Sequence, residues 1–227
     1  MLGVIFAVII SIGLPISLLI YAIIKKRFLP FLLGVLAFIG SQILIRIPLL
    51  KYLEMNSINY SMFSAMYPVF FAIIIGLSAG VFEELARFVM MKFFMKNPNW
   101  QSGFLFGAGH GGIEAVLFVG ISASTMLFSP TVAIYNAGFF IGGIERFFAM
   151  MLHIGLSIIV LQGVVQRKFI YVLIAILIHG FVDALVGILP LYLGAGASLV
   201  AIEVALALTA IAVLSYSLMI KRKEVFQ

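Results

Sequence analysis

Long apolar runs, separated by short polar breaks, cover almost the whole chain. Seven of them read as helices: 2–24, 28–49, 62–91, 103–128, 143–165, 169–190 and 196–220. Each is near or above the roughly 20 apolar residues that cross a bilayer. The pattern predicts an all-α, polytopic membrane helix bundle of about seven transmembrane helices, a single integral membrane domain over 1–227. The third run is long, and either tilts or leaves the membrane near Lys92. The first run has no basic segment ahead of it and no clear cleavage site; its charges, Lys25, Lys26 and Arg27, follow it. It reads as a retained span rather than a signal peptide.

Composition narrows the class. The 227 residues are 64% apolar and 10% charged, whereas a soluble domain is about 45–50% apolar and about 25% charged. A soluble fold and a disordered chain are both excluded, and no room is left for a soluble catalytic or receptor domain. Cysteine is absent, which removes disulfides, a thiolate nucleophile and Cys-ligated metal. The net charge of +6 reads as a topology signal, not as a nucleic-acid surface. Ten basic residues fall on one face: Lys25, Lys26, Arg27, Lys92, Lys96, Arg167, Lys168, Lys221, Arg222 and Lys223. The other face receives Arg46 and Lys51. The positive-inside rule then puts the N-terminus outside and the C-terminus in the cytoplasm, in a cell membrane of prokaryotic type. The expected partners are membrane lipids and no nucleic acid.

The informative residues are the expensive ones. An ionisable side chain at the bilayer centre costs about 2.5–3.5 kcal/mol on insertion scales, yet Glu83, Glu84, Glu114, Glu145, Asp183 and Glu203 all lie in apolar segments, as do His110, His153 and His179. Three pairs are four residues apart: Glu83 and Arg87, His110 and Glu114, His179 and Asp183. Each pair shares one helix face. Depth brings them together. At 1.5 Å per residue, Glu83, His110 and His179 lie about 13, 10 and 15 Å below the basic ends of their helices. Three helices thus bring a carboxylate and two imidazoles to one level.

Several chemistries are absent. There is no H-E-x-x-H, Asp183 is the only aspartate, and the last span has no lysine for a Schiff base. Gly76-Leu77-Ser78-Ala79-Gly80 matches G-x-S-x-G, but that motif needs a strand–turn–helix elbow. In a membrane helix it reads as close packing of small residues. Glu and His with Arg alongside remain. A carboxylate takes a proton from water while an imidazole orients the water or a metal. The same residues suit a metal-free water site or a divalent ion such as Zn²⁺, which accepts His and carboxylate ligands.

Phe82-Glu83-Glu84-Leu85-Ala86-Arg87, then Phe106 to Ala115 around His110, then His179-Gly180-Phe181-Val182-Asp183 resemble the three motifs of the CAAX-protease and bacteriocin-processing superfamily. Within it, Gly109-His110-Gly111-Gly112-Ile113-Glu114-Ala115 is similar to the YhfC group of intramembrane metalloproteases, and Glu114 resembles the F-x-x-x-E acid of the related PrsW proteases. The resemblance covers roughly 80–190. It implies an intramembrane protease acting on a membrane-embedded or membrane-tethered peptide, in which Glu83 or Glu84 activates water with His110. His179 and Asp183 would bind the oxyanion or assist a metal, and Arg87 would hold the other glutamate. A metal would draw on Glu84, His110, Glu114 and His179. The spacing departs from the superfamily in one respect: Glu-Glu and Arg are separated by two residues here, and by three in the CAAX enzymes. Glu83, four residues from Arg87, is favoured as the base.

Other polar residues carry blander readings. His153 is expected to be a satisfied core histidine, Glu145 and Arg146 interfacial anchors, and Glu203 a polar interhelical contact. Two rival functions use the same residue types: a proton- or cation-coupled transporter, and a non-catalytic membrane chaperone or immunity-type factor.

Overall fold

The computed structural model describes residues 1–222; Lys223, read from the sequence as part of the basic face, lies outside the described residues. The elements are α1 Leu2–Ile24, α2 Phe28–Asn56, α3 Ile58–Met66, α4 Pro68–Phe94, α5 Trp100–Met126, α6 Val132–Val165, α7 Ile170–Tyr192 and α8 Ala195–Arg222. Among the described residues there is no strand, and seven helices are long and apolar enough to cross a membrane. The seven expected spans are therefore present, and α3 is an additional short helix.

Local chemistry sets the breaks. At the basic end, helices close on Lys26, Asn97 and Arg167, all with positive φ. At that end Asn99 caps α5 by accepting from the Ser102 amide at 3.0 Å. At the opposite end Ser57 caps α3, accepting from the Tyr60 amide at 3.2 Å. Three boundaries differ from the sequence reading by more than three residues. The helix expected to end at 49 runs to Asn56, because Lys51 and Glu54 are good helix formers and the first extended residue is Ser57. Residues 62–66 belong to α3, because Tyr67, which precedes Pro68, leaves helical geometry. The fifth span begins at Val132, not 143. Its first eleven residues carry no charge and no proline, so nothing in them stops a helix.

The bundle packs α4 against α7 and α2 against α5, with α6 between α5 and α8. The α4–α7 seam is built from small residues. A Cβ on Gly76 would lie 2.5 Å from the Ala184 nitrogen, and one on Gly80 would lie 2.5 Å from the Ile176 carbonyl oxygen. The G-x-S-x-G string is thus a packing surface. Its Ser78 hydroxyl donates to the Ile75 carbonyl at 2.7 Å and accepts from Arg46 Nε at 2.9 Å. Gly80→Leu should therefore destabilise the bundle by about 1–3 kcal/mol or more. Thermal unfolding in detergent should show it, whereas Gly138→Leu, with open space around it, should not.

Helix α2 contains a π-helical stretch, Ile39–Arg46. Such widened turns reorient the residues they carry, and this one turns Gln42 and Arg46 into the bundle interior.

Candidate active site

Glu83 is at the centre. Its Oε2 is 2.8 Å from His110 Nε2, and its Oε1 accepts from Gln42 Nε2 at 2.5 Å. His179 Nε2 lies 3.8 Å from the same Oε2. The three helices α4, α5 and α7 therefore meet at one level, as the depth argument requires. The close approach of α5 to α6 depends on glycine: a Cβ on Gly107 would lie 2.5 Å from Ile154 Cα. With that approach, the His110 and His153 rings stand 5.2 Å apart, and His153 and His179 stand 5.4 Å apart.

The two glutamates divide the work. Adjacent helical positions point about 100° apart, and both carboxylates are buried. Glu83 lines a cavity of about 170 Å³. Glu84 lies behind it and accepts from His179 Nδ1 at 2.7 Å. A carboxylate only accepts, so Nδ1 carries a ring hydrogen, and in the neutral ring the lone pair of Nε2 faces the cavity. Arg87 sits between the two carboxylates, 3.5 Å from Glu83 and 3.4 Å from Glu84. It also donates to the His153 carbonyl at 2.8 Å, to Ser157 Oγ at 2.9 Å and to His153 Nδ1 at 2.6 Å. Since an arginine only donates, His153 keeps its hydrogen on Nε2, which lies 2.5 Å from Glu114 Oε2.

Three expectations change here. His153 is buried and satisfied, as expected, but it is part of the site: its nitrogens meet Arg87 and Glu114, and its ring stands beside those of His110 and His179. Arg146 is no interfacial anchor. It is buried, bonds Glu114 at 2.7 Å and pairs with Glu145, because the early start of α6 carries both residues into the bundle. Asp183 stands off from His179, its Oδ2 3.9 Å from Nε2, while Glu84 holds the other nitrogen. Glu203 has one buried carboxylate oxygen without a hydrogen-bond partner among the described residues, so it does not make the expected polar interhelical contact through that atom.

The fit to a metal can be tested on these atoms. Glu83, His153 and His179 each offer a ligand atom, all within 4.8 Å of one another. This set differs from the expected one of Glu84, His110, Glu114 and His179. Glu84 and His110 instead hydrogen-bond two of these residues, His179 and Glu83. A His ligand whose second nitrogen donates to a carboxylate is the usual arrangement at metal sites, and His179 with Glu84 has it. Both His153 nitrogens are engaged here, Nδ1 by Arg87 and Nε2 by Glu114 Oε2 at 2.5 Å, so ligation through His153 requires one of these contacts to open. Two imidazoles and a carboxylate suit Zn²⁺ and similar ions, so the residues fit a divalent metal. Glu84→Gln should weaken metal binding about 10–100-fold, measured by competition with a chelating dye.

The arrangement defines a class: a polytopic membrane helix bundle with a buried carboxylate–imidazole centre. A family model described as YhfC intramembrane metalloprotease matches residues 8–136 and 124–209, and the chain belongs to that family. A protein described as "uncharacterized membrane protein YhfC", from Bacillus subtilis (strain 168), is 34% identical over 194 residues, covering 71% of this chain and 72% of that protein. No solved structure matches. With its seven apolar spans, the chain is an integral membrane protein.

Proposed function

We propose that this protein is an intramembrane metalloprotease that hydrolyses a peptide bond at the Glu83 centre. The observation that carries the reading is the convergence of Glu83, His153 and His179 within 4.8 Å, buried in the bundle and opening on a cavity. The family description and the motif likeness to the CAAX-protease and PrsW groups support the same reaction class. The positive-inside count supports a cell-membrane orientation with the N-terminus outside and the C-terminus cytoplasmic.

Glu83, His153 and His179 would hold the ion, which when bound polarises a carbonyl and makes water a stronger nucleophile near neutral pH. Glu84 keeps His179 in the ligating tautomer. Gln42 and His110 hold the Glu83 carboxylate in place. Asp183 lines the cavity with its side chain 41% exposed, and it accepts the proton of the attacking water. A second reading rests on the Glu83–His110 hydrogen bond at 2.8 Å. That pair makes a base without an ion, and Asp183 is then dispensable.

The test is cleavage of a membrane-tethered reporter by purified protein in vesicles, with elemental analysis and chelator treatment. The metal reading expects bound metal, loss of cleavage on chelation and recovery on adding Zn²⁺. It also expects Asp183→Asn to cost about 10²–10⁴-fold. Full activity without metal, with Asp183→Asn nearly silent, selects the Glu83–His110 reading. No cleavage by folded, metal-loaded protein leaves the transporter or scaffold class.

A further inference from the structure

The cavity is one-sided. Beyond the Glu83 centre its lining continues in a single direction. On α2 and α7, which rise from the basic face, it follows Gln42 with Arg46 and His179 with Val186; on α6 it steps back from His153 to Glu145. Each step leads away from the end that carries Lys25–Arg27, Lys96 and Arg167–Lys168. On the basic side of the same centre the helices supply solid core. Leu33, Met91, Phe106, Leu156, Val160 and Ile176 are buried in one hydrophobic cluster, one or two from each of five helices. This packed layer lies between the centre and the basic face.

The walls of the open side are polar. Arg46 is held by Gln42 at 3.1 Å and by the Ile75 carbonyl at 2.8 Å, and Arg146 is held by Glu114 and Glu145. Pinned charges of both signs suit the amides of a peptide backbone better than lipid chains. A helix already pairs its backbone N–H and C=O groups within itself, whereas an extended segment presents them to such walls. We propose that the substrate is an extended peptide segment delivered from the face opposite the basic residues. It would be a juxtamembrane stretch on that side, not an intact transmembrane helix. The substrate part of this inference rests on the protease reading; the direction of access does not.

The absence of cysteine makes a direct test available. Ala149 lies one turn from His153 toward the open side and lines the cavity. Single-cysteine variants Ala149→Cys and Val186→Cys would be treated with a membrane-impermeant thiol reagent in vesicles of both orientations. Thr131→Cys and Lys168→Cys mark the two faces, and thermal unfolding checks each variant. Both cavity cysteines should react when the reagent is on the Thr131 side and be at least tenfold slower from the Lys168 side. Reaction from the Lys168 side, or from neither side in folded protein, overturns the proposal. Reporters with the cleavable stretch on either side of one transmembrane anchor form the second arm. Cleavage confined to the Thr131 side supports the extended-substrate part; cleavage confined to the Lys168 side overturns it. If neither reporter is cut while the labelling holds, the protease reading fails, and the substrate part with it, but the route of access stands.

Discussion

Glu83→Gln should abolish reporter cleavage, lowering turnover by about 10²–10⁴-fold, while the protein still folds. The substitution keeps shape and removes charge. As a metal ligand, the amide is far weaker than a carboxylate; as a base, it takes no proton. Both readings of the centre therefore lose catalysis through one residue. Folding should survive, because Gln42 and His110 retain a polar partner and Arg87 still faces Glu84 at 3.4 Å. Metal content separates the readings: under the metal reading Glu83→Gln also lowers bound metal in elemental analysis, whereas the metal-free reading leaves it at background. Wild-type turnover in a folded Glu83→Gln variant removes Glu83 from the chemistry and the protease proposal with it.

The spans were legible because a bilayer imposes a length on apolar runs, and nothing else explains seven of them. Their ends were less so. Residues 132–142 are apolar and uncharged, so a loop and a helix look alike there, and the choice displaced Glu145 and Arg146 to the wrong depth. Glu83, His110 and His179 were legible through depth, which depends only on rise per residue. Pairing along one helix held for Glu83 with Arg87, 3.5 Å apart, and misled for His110. His110 and Glu114 sit four apart, yet His110 bonds Glu83, and Glu114 bonds Arg146. His153 was missed for a related reason. Its positions four residues away are Ala149 and Ser157, so no charged partner marks it, and its actual partner, Arg87, is 66 residues distant. Depth would have found it: twelve residues from the end of α6 is about 18 Å, close to the level of His179.

Arg87→Leu should be the most damaging substitution to stability, costing about 3–5 kcal/mol, as when one partner of a buried ion pair is removed. Arg87 is fully buried and faces two carboxylates on its own helix, so its loss leaves Glu83 and Glu84 side by side with no counter-charge between them. It also releases the His153 carbonyl, Ser157 Oγ and His153 Nδ1, three acceptors on α6 that its fork now ties to α4. Arg87→Lys should recover only part of the loss, because an ammonium keeps the charge but cannot span the same set of acceptors. The pairing of Arg87 with Glu84 has its own check. Adding Glu84→Gln to Arg87→Leu removes one of the stranded charges, so the double variant should unfold at a higher temperature than Arg87→Leu alone. Thermal unfolding in detergent, followed by loss of monodisperse protein, measures all three. Equal midpoints for Arg87→Leu and wild type would show that Glu83 and Glu84 do not depend on this guanidinium, and the role given to Arg87 in holding the centre would fall.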